Sequence, residues 1–221
     1  MLKEKKLSIL GDSISTYKGV SDDPGANSTL IYNPYYYSES RFPIEKTYWM
    51  QVMKEFGLTL CVNNSWSGGN LSFRDDETSG ICRAHHLSRD DGESPDIIIV
   101  FIGTNDLGRV NTVPYETFAE DYAQTLKIIK DQYPRAYVCC VNLADKDLPR
   151  LNERLAMFNS AIEAAVRAAG TRFFIADQFH SRLCGENYYN NTIDGLHPDE
   201  DGMRILAETV CEAIRKNCCN R

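Results

Sequence analysis

The chain reads as an α/β protein, a three-layer α/β/α sandwich built on a five-stranded parallel sheet. Three observations predict this. Short apolar runs alternate with stretches of helical periodicity along the whole length. One run, residues 97–102 (IIIVFI), is apolar at every position, as a central parallel strand covered on both faces must be. The length, 221 residues, suits one such domain with a substantial core and is short for two.

The elements follow in order. Residues 7–10 (LSIL) are a short first strand. From Ile44 to Phe56, apolar Tyr48, Val52 and Phe56 recur at helical spacing. Residues 58–62 give a second strand and residues 97–102 the third. Phe118, Tyr122, Leu126 and Ile129 form one stripe of a helix opening near Pro114. Residues 136–141 make the fourth strand. Leu151, Leu155, Phe158, Ile162 and Val166 mark the next helix, with Gly170 as its cap. Residues 173–176 are the fifth strand, and a last helix covers residues 201–215. Right-handed crossovers then put helices on both faces of the sheet. Residues 1–221 are read as one domain. Its irregular insertion, residues 17–43, carries five tyrosines, four of them within residues 32–37.

Composition narrows the function. Hydrophobic residues are 43% and charged residues 25%, ordinary for a globular protein. Lys and Arg number 24 against 31 Asp and Glu, a formal charge of −7, and no long basic run follows residues 1–6, so nucleic acid is not an expected partner. No apolar run approaches membrane-span length. The apolar stretch after the basic start is too short for a signal peptide, so a cytoplasmic location is expected. The eight cysteines include no C-x-x-C pair, and adjacent Cys139 and Cys140 must point to opposite faces of their strand. Free, mostly buried thiols are expected. His85 and His86 are adjacent and lack a spaced third ligand, so no metal is expected. Arg83 and Arg89 read as a solvated cationic face.

Parallel sheets bind ligands beyond the carboxyl ends of their strands, so the chemistry is sought there. The first strand runs into Gly11-Asp12-Ser13-Ile14-Ser15, which puts a serine at that edge; Gly-Asp-Ser is also a common turn. The second runs into Asn63-Asn64-Ser65-Trp66-Ser67-Gly68-Gly69-Asn70, where glycine permits close backbone approach to a ligand. The third ends in Gly103-Thr104-Asn105-Asp106, and the Asn105 amide can donate to an oxyanion or make an Asx turn. Near the C-terminus, Asp194-Gly195-Leu196-His197-Pro198 sets an acid three residues before a histidine, able to hold Nδ1–H and leave Nε2 as a base. Nucleophile, base, orienter and oxyanion donors are the four parts that acyl transfer needs.

These four blocks, in this order, resemble the SGNH, or GDSL-type, hydrolase family. Gly11-Asp12-Ser13, Ser67-Gly68, Gly103-Thr104-Asn105-Asp106 and Asp194-x-x-His197 match its motifs from the first strand to the last helix. The resemblance implies a flavodoxin-like α/β fold and a serine ester hydrolase. Ser13 would be its nucleophile, His197 its base and Asp194 the orienter. The backbone N–H groups of Ser13 and Gly68, with the Asn105 amide, would form the oxyanion hole. It implies no cofactor and no metal. The partner implied is a small-molecule or oligosaccharide ester, with short-chain esters such as O-acetylated carbohydrates first. A lysophospholipase or thioesterase of the same family, or a carbohydrate-binding module without turnover, stand as alternatives. Asp12, Tyr35, Tyr36 and Tyr37 are candidate substrate contacts; the tyrosines suit a sugar face, an acyl pocket, or a packed loop over the sheet edge. A nucleotide-binding flavodoxin-like protein would need a phosphate-cradling glycine loop, and G-x-x-x-x-G-K-[ST] is absent.

Overall fold

A computed structural model describes residues 2–20, 35–74, 76–109, 112–146 and 148–219. Five parallel strands, β1 (Lys6–Gly11), β2 (Thr59–Ser65), β3 (Ile97–Phe101), β4 (Tyr137–Val141) and β5 (Phe173–Ala176), pair in the order β2-β1-β3-β4-β5. The chain thus starts near the middle of the sheet, builds outward to β2, and crosses back over β1 to build the other half. Helices α1 (Tyr48–Phe56) and α7 (Glu200–Cys218) pack together on one face. Helices α4 (Tyr115–Gln132) and α5 (Asn152–Ala169) pack together on the other. Three short helices, α2 (Gly80–Arg83), α3 (Thr104–Gly108) and α6 (Glu186–Asn190), complete the set among the described residues.

The period-2 alternation of each strand splits the core in two. Leu7, Ile9, Ile97, Ile99 and Phe101 join α1 and α7 in one cluster. Leu10, Ile98, Val100 and Ile102 join α4 and α5 in the other. Cys139 and Cys140 fall into opposite clusters, as adjacent strand residues must. All eight thiols are free, and Cys61, Cys139, Cys140 and Cys211 are buried. Half of them are therefore buried, where most were expected to be, because Cys82 lies on the short α2, Cys184 in a loop, and Cys218 and Cys219 at a helix end.

Local signals fix the long helices. The Thr47 side chain caps α1 by accepting from Met50 N–H, and Gly57 ends that helix in the left-handed region. Asp199 caps α7 by accepting from Gly202 N–H at 2.9 Å; Glu200 and Asp201 then sit in its first turn, and Arg215 and Lys216 in its last, each matching the helix dipole. The last helix is longer than expected at both ends. The helix read from Ile44 begins instead with a 3-10 turn, Ile44–Lys46, before α1.

One buried cation joins the two strand ends that matter most. Arg83 was read as part of a solvated face, but it is only 1% exposed. Its Nη2 donates to the Gly11 carbonyl at 3.0 Å and its Nε to the Thr78 carbonyl at 2.7 Å, while Nη1 donates to the Asn64 carbonyl. Burial lowers its pKa to about 10, with Asp12 opposing, so the group stays charged at neutral pH. Between the same strand ends, Gly11 leaves no room for a side chain, since a Cβ there would lie 2.6 Å from Ser65 Oγ. The β1 and β2 ends therefore close on each other directly.

Arg83→Met should remove a donor from the Asn64, Thr78 and Gly11 carbonyls, of which Gly11 keeps Trp66 N–H at 3.3 Å, and a counter-charge from Asp12. Losing one side of such an arrangement costs about 3–5 kcal/mol. Arg83→Lys keeps the charge but not the fork, and should recover part of that loss. Chemical denaturation of the three proteins checks this; equal midpoints would show that Arg83 does not tie the strands.

Candidate active site

The end of β1 delivers Ser13. Asp12 opens a 3-10 turn, Ser13–Ser15, by accepting from Ile14 N–H at 3.1 Å. That turn is held from below: Asn63 Nδ2 donates to the Ser15 carbonyl at 2.9 Å, and Ser65 Oγ donates to Asn63 Oδ1 at 2.6 Å. Ser13 is thus set by β2 as well as by its own strand.

His197 arrives from the loop before α7. Ser13 Oγ and His197 Nε2 lie 2.9 Å apart, across 184 residues of sequence. On the other side, Nδ1 lies 2.8 Å from Asp194 Oδ2. An ionised carboxylate only accepts, so the ring proton sits on Nδ1 and Nε2 is left to accept from the serine hydroxyl. Asp194 is itself well furnished. Its Oδ1 accepts from the backbone N–H of Leu196 at 3.0 Å and of His197 at 2.9 Å, and its Oδ2 accepts from the Tyr36 hydroxyl at 2.7 Å. Burial works against its charge, but the His197 N–H, the Tyr36 hydroxyl and the His197 ring outweigh it and hold the carboxyl well below the usual range. For His197, burial lowers the pKa and the Asp194 hydrogen bond and charge raise it; Lys146 and Arg41 add to the lowering, which prevails.

The tyrosine segment meets this pair from outside. Tyr36 N–H donates to Thr16 Oγ1 at 2.8 Å, and Thr16 Oγ1 donates to the Ser13 carbonyl at 2.8 Å, so the loop is pinned to the nucleophile's own turn. The Tyr36 ring stacks on His197 with centroids 3.5 Å apart and planes 11° apart. The Arg41 guanidinium covers its other face at 4.1 Å. Both faces of Tyr36 are therefore occupied, and it supports the imidazole. Tyr37 is fully buried in the core, its hydroxyl donating to the Pro198 carbonyl at 3.0 Å. Neither offers a free ring face to a sugar. Tyr35 is exposed, with Lys18 Nζ 5.6 Å from its ring centre. The remainder of the expected insertion, residues 21–34, lies outside the described residues. Asp12 is fully buried and one of its carboxyl oxygens, Oδ2, has no hydrogen-bond partner among the described residues.

The ends of β2 and β3 supply the other donors. Gly68 has a φ of +77°, the left-handed region that favours glycine, although a Cβ there would meet open space. Conformation, not room, requires this glycine. Neither Ser13 N–H nor Gly68 N–H donates to another backbone group among the described residues. Asn105 Nδ2 donates one hydrogen to the Gly69 carbonyl at 2.8 Å, which leaves its second for an oxyanion. The neighbouring Asp106 has a structural task that its motif position did not reveal. Fully buried, it accepts from Leu71 N–H at 2.7 Å and Ser72 N–H at 3.0 Å, fixing the segment after Gly69.

Lys146, after β4, was also not singled out by sequence. It packs over the Tyr188 ring at 5.5 Å and feels the charges of Asp12 and Asp194, yet burial lowers its pKa. A second D-x-x-H, Asp177 to His180, repeats the catalytic spacing with a 2.8 Å Nδ1 contact. It follows β5 on the exposed surface, and no serine hydroxyl bonds its imidazole among the described residues. His85 and His86 gather no further ligand: no group of three or more His, Cys, Asp or Glu able to hold a metal occurs among the described residues. Nor is any described helix long and apolar enough to cross a membrane.

Comparison with known proteins now adds to this geometry. The family model of GDSL-like lipase/acylhydrolases matches residues 5–214. No curated protein sequence matches. Among solved structures, a GDSL-like lipase candidate from Bacteroides ovatus is 25% identical, with a TM-score of 0.71 over 97% of this chain and 99% of that one. A psychrotrophic esterase from a Pseudoalteromonas species, solved with monoethylphosphonate inhibitor, is 16% identical, with a TM-score of 0.67 over 98% of this chain and 100% of that one. A family two carbohydrate esterase from Clostridium thermocellum, solved with cellohexaose, is 15% identical, with a TM-score of 0.68 over 97% of this chain and 64% of that one. The last two share the fold; the match over residues 5–214 decides the family. This chain belongs to the GDSL-like lipase/acylhydrolase family of esterases.

Proposed function

We propose that the protein hydrolyses short-chain esters through an acyl-enzyme on Ser13, with O-acetylated carbohydrates as the substrate class. The reading rests above all on the unbroken hydrogen-bond chain from Ser13 Oγ through His197 to Asp194, at 2.9 and 2.8 Å. His197 Nε2 takes the hydroxyl proton as Oγ bonds to the ester carbonyl carbon. The Ser13 and Gly68 N–H groups and the free Asn105 hydrogen bind the resulting oxyanion. When the C–O bond to the alcohol breaks, His197 returns the proton to the leaving oxygen. Water then repeats the sequence on the acyl group, releasing the acid and restoring Ser13. The carbohydrate assignment is supported by exposed Tyr35 and by fold likeness to two family two carbohydrate esterases. Rates on p-nitrophenyl esters of increasing chain length, beside acetylated xylo-oligosaccharides, test it; a steady rise with acyl length would move the assignment to a lipase or thioesterase.

Ser13→Ala should lower kcat by about a thousandfold or more while leaving the unfolding midpoint in place. An organophosphonate should label the intact protein at Ser13. Peptide mapping that found the adduct on another serine would remove Ser13 from the mechanism.

The pH profile follows from His197. Only the neutral ring accepts a proton, so kcat/KM should rise with pH and then level off. Because the ring's pKa is lowered in the fold, the midpoint should fall below the ordinary histidine value of about 6.5. A midpoint above that value would mean that Asp194, not burial, dominates the imidazole.

Asn105→Ala should lower kcat by about a hundred- to a thousandfold, with much less change in KM, since the oxyanion forms fully only near the transition state. Steady-state kinetics beside a thermal melt decide this. A change confined to KM would make Asn105 a ground-state binding group.

A further inference from the structure

Beside the oxyanion donor lies a cavity that the mechanism above does not use. It has a volume of about 790 Å³, and Asn105, Leu107 and Leu196 are among the residues that line it. Leu196 directly precedes the catalytic histidine, so anything in this cavity is next to the reacting ester. Its charge pattern is one-sided: Arg109, Lys146 and Arg150 all line it, and no carboxylate does so among the described residues. Asp147, between two lining residues in sequence, lies outside the described residues.

None of the three cations has a carboxylate partner within ion-pair distance among the described residues. Arg109 reaches only the Gly68 carbonyl, at 3.4 Å, and Lys146 lies over the Tyr188 ring. Elsewhere on the described surface, Lys5, Lys6, Lys46, Arg74, Arg204 and Arg215 do form ion pairs. In a chain with a net charge of −7, Arg109 and Arg150 around one cavity, with Lys146 whose charge Asp12 and Asp194 offset only from outside its lining, are a local reversal of sign.

We infer that this cavity receives an anionic group of the substrate, a carboxylate or phosphate a few atoms from the scissile ester. The inference rests on the esterase reading above and names a feature of its substrate. Guanidinium groups suit planar, two-oxygen anions, and the leucine wall suits the short carbon segment joining anion to ester. The anion can belong to the alcohol, as in an acetylated uronic acid or sugar phosphate, or to the acyl group, as in a dicarboxylic half-ester.

Matched ester pairs test this. For the acyl side, p-nitrophenyl hydrogen glutarate is compared with p-nitrophenyl pentanoate. For the alcohol side, an O-acetylated methyl glucuronoside is compared with the same acetylated methyl glucoside. At low salt, at least one pair should favour the anion by about tenfold in kcat/KM, and added salt should shrink that preference. Arg150→Gln should reduce the ratio several-fold and Arg150→Glu further, with circular dichroism unchanged. The pair that responds identifies which side carries the anion. Equal rates within both pairs, or a ratio indifferent to both Arg150 variants, would overturn the inference while leaving the esterase reading intact. Equilibrium titration of the same esters into Ser13→Ala protein reads the cavity without turnover. Anion preference there, with no hydrolysis by the intact protein, would keep the cavity and overturn the esterase reading.

Discussion

The site depends on one buried guanidinium. Arg83 reaches the last carbonyl of β1 and the next-to-last of β2, where both strands turn into loops. Parallel strands end with carbonyls that have no partner in the ladder, and burying such groups unpaired is costly. The Gly11 carbonyl accepts from Trp66 N–H at 3.3 Å, and a side chain must satisfy the rest. Arg83 does so with a rigid fork, and its charge faces Asp12, the residue that caps the nucleophile's turn. The same group therefore sets the spacing between the nucleophile on one strand and the Gly68 loop on the next.

A second layer of anchors works by the same logic. Three segments around the candidate site are tied back by a buried polar side chain: Asn63 for the serine turn, Asp106 for the segment after Gly69, Thr16 for the tyrosine loop. Loops positioned in this way can hold reacting groups to within tenths of an ångström without belonging to the sheet. The Asn-Asp pair at the end of β3 shows the division of labour, with Asn105 facing the site and Asp106 facing the protein.

Much of this was legible in the sequence, for identifiable reasons. The all-apolar β3 and the striped α4 and α5 carry strong periodic signals, and their bounds were close. The short helices α2, α3 and α6 span four or five residues, too few for a stripe to register. Ser13 stood out because it sits at a strand exit, and Asp194 and His197 because of their spacing before the last helix, all in a motif order. Arg83 did not, because a lone arginine in a polar stretch looks like any solvated cation until three carbonyls are seen around it. The tyrosine run was ambiguous for another reason. Three consecutive aromatics in an irregular segment take three environments, one exposed, one stacked on the histidine and one in the core, and no period assigns them. The repeated D-x-x-H at Asp177 and His180 shows the limit of spacing alone: both pairs form the contact, and only the strand end behind Ser13 selects the second.

The electrostatics of His197 show opposed demands being met together. As a base it must rest neutral, and burial with Lys146 and Arg41 favours that state. On taking the serine proton in the proposed reaction it would become an imidazolium, and the site would have to tolerate the charge. Asp194 answers the second demand, since its own carboxylate is held ionised by two backbone N–H groups and the Tyr36 hydroxyl. Those donors stop Asp194 from simply taking the proton, so the pair shares charge without discharging it. Tyr36 is the hinge of the balance: its hydroxyl steadies the carboxylate, and its ring, backed by Arg41, covers the imidazole face. Removing water from that face lowers the resting pKa and also strengthens the Asp194 attraction once the proton has moved. The tyrosine loop thus acts on the chemistry through the histidine, whatever ester the mouth of the site receives.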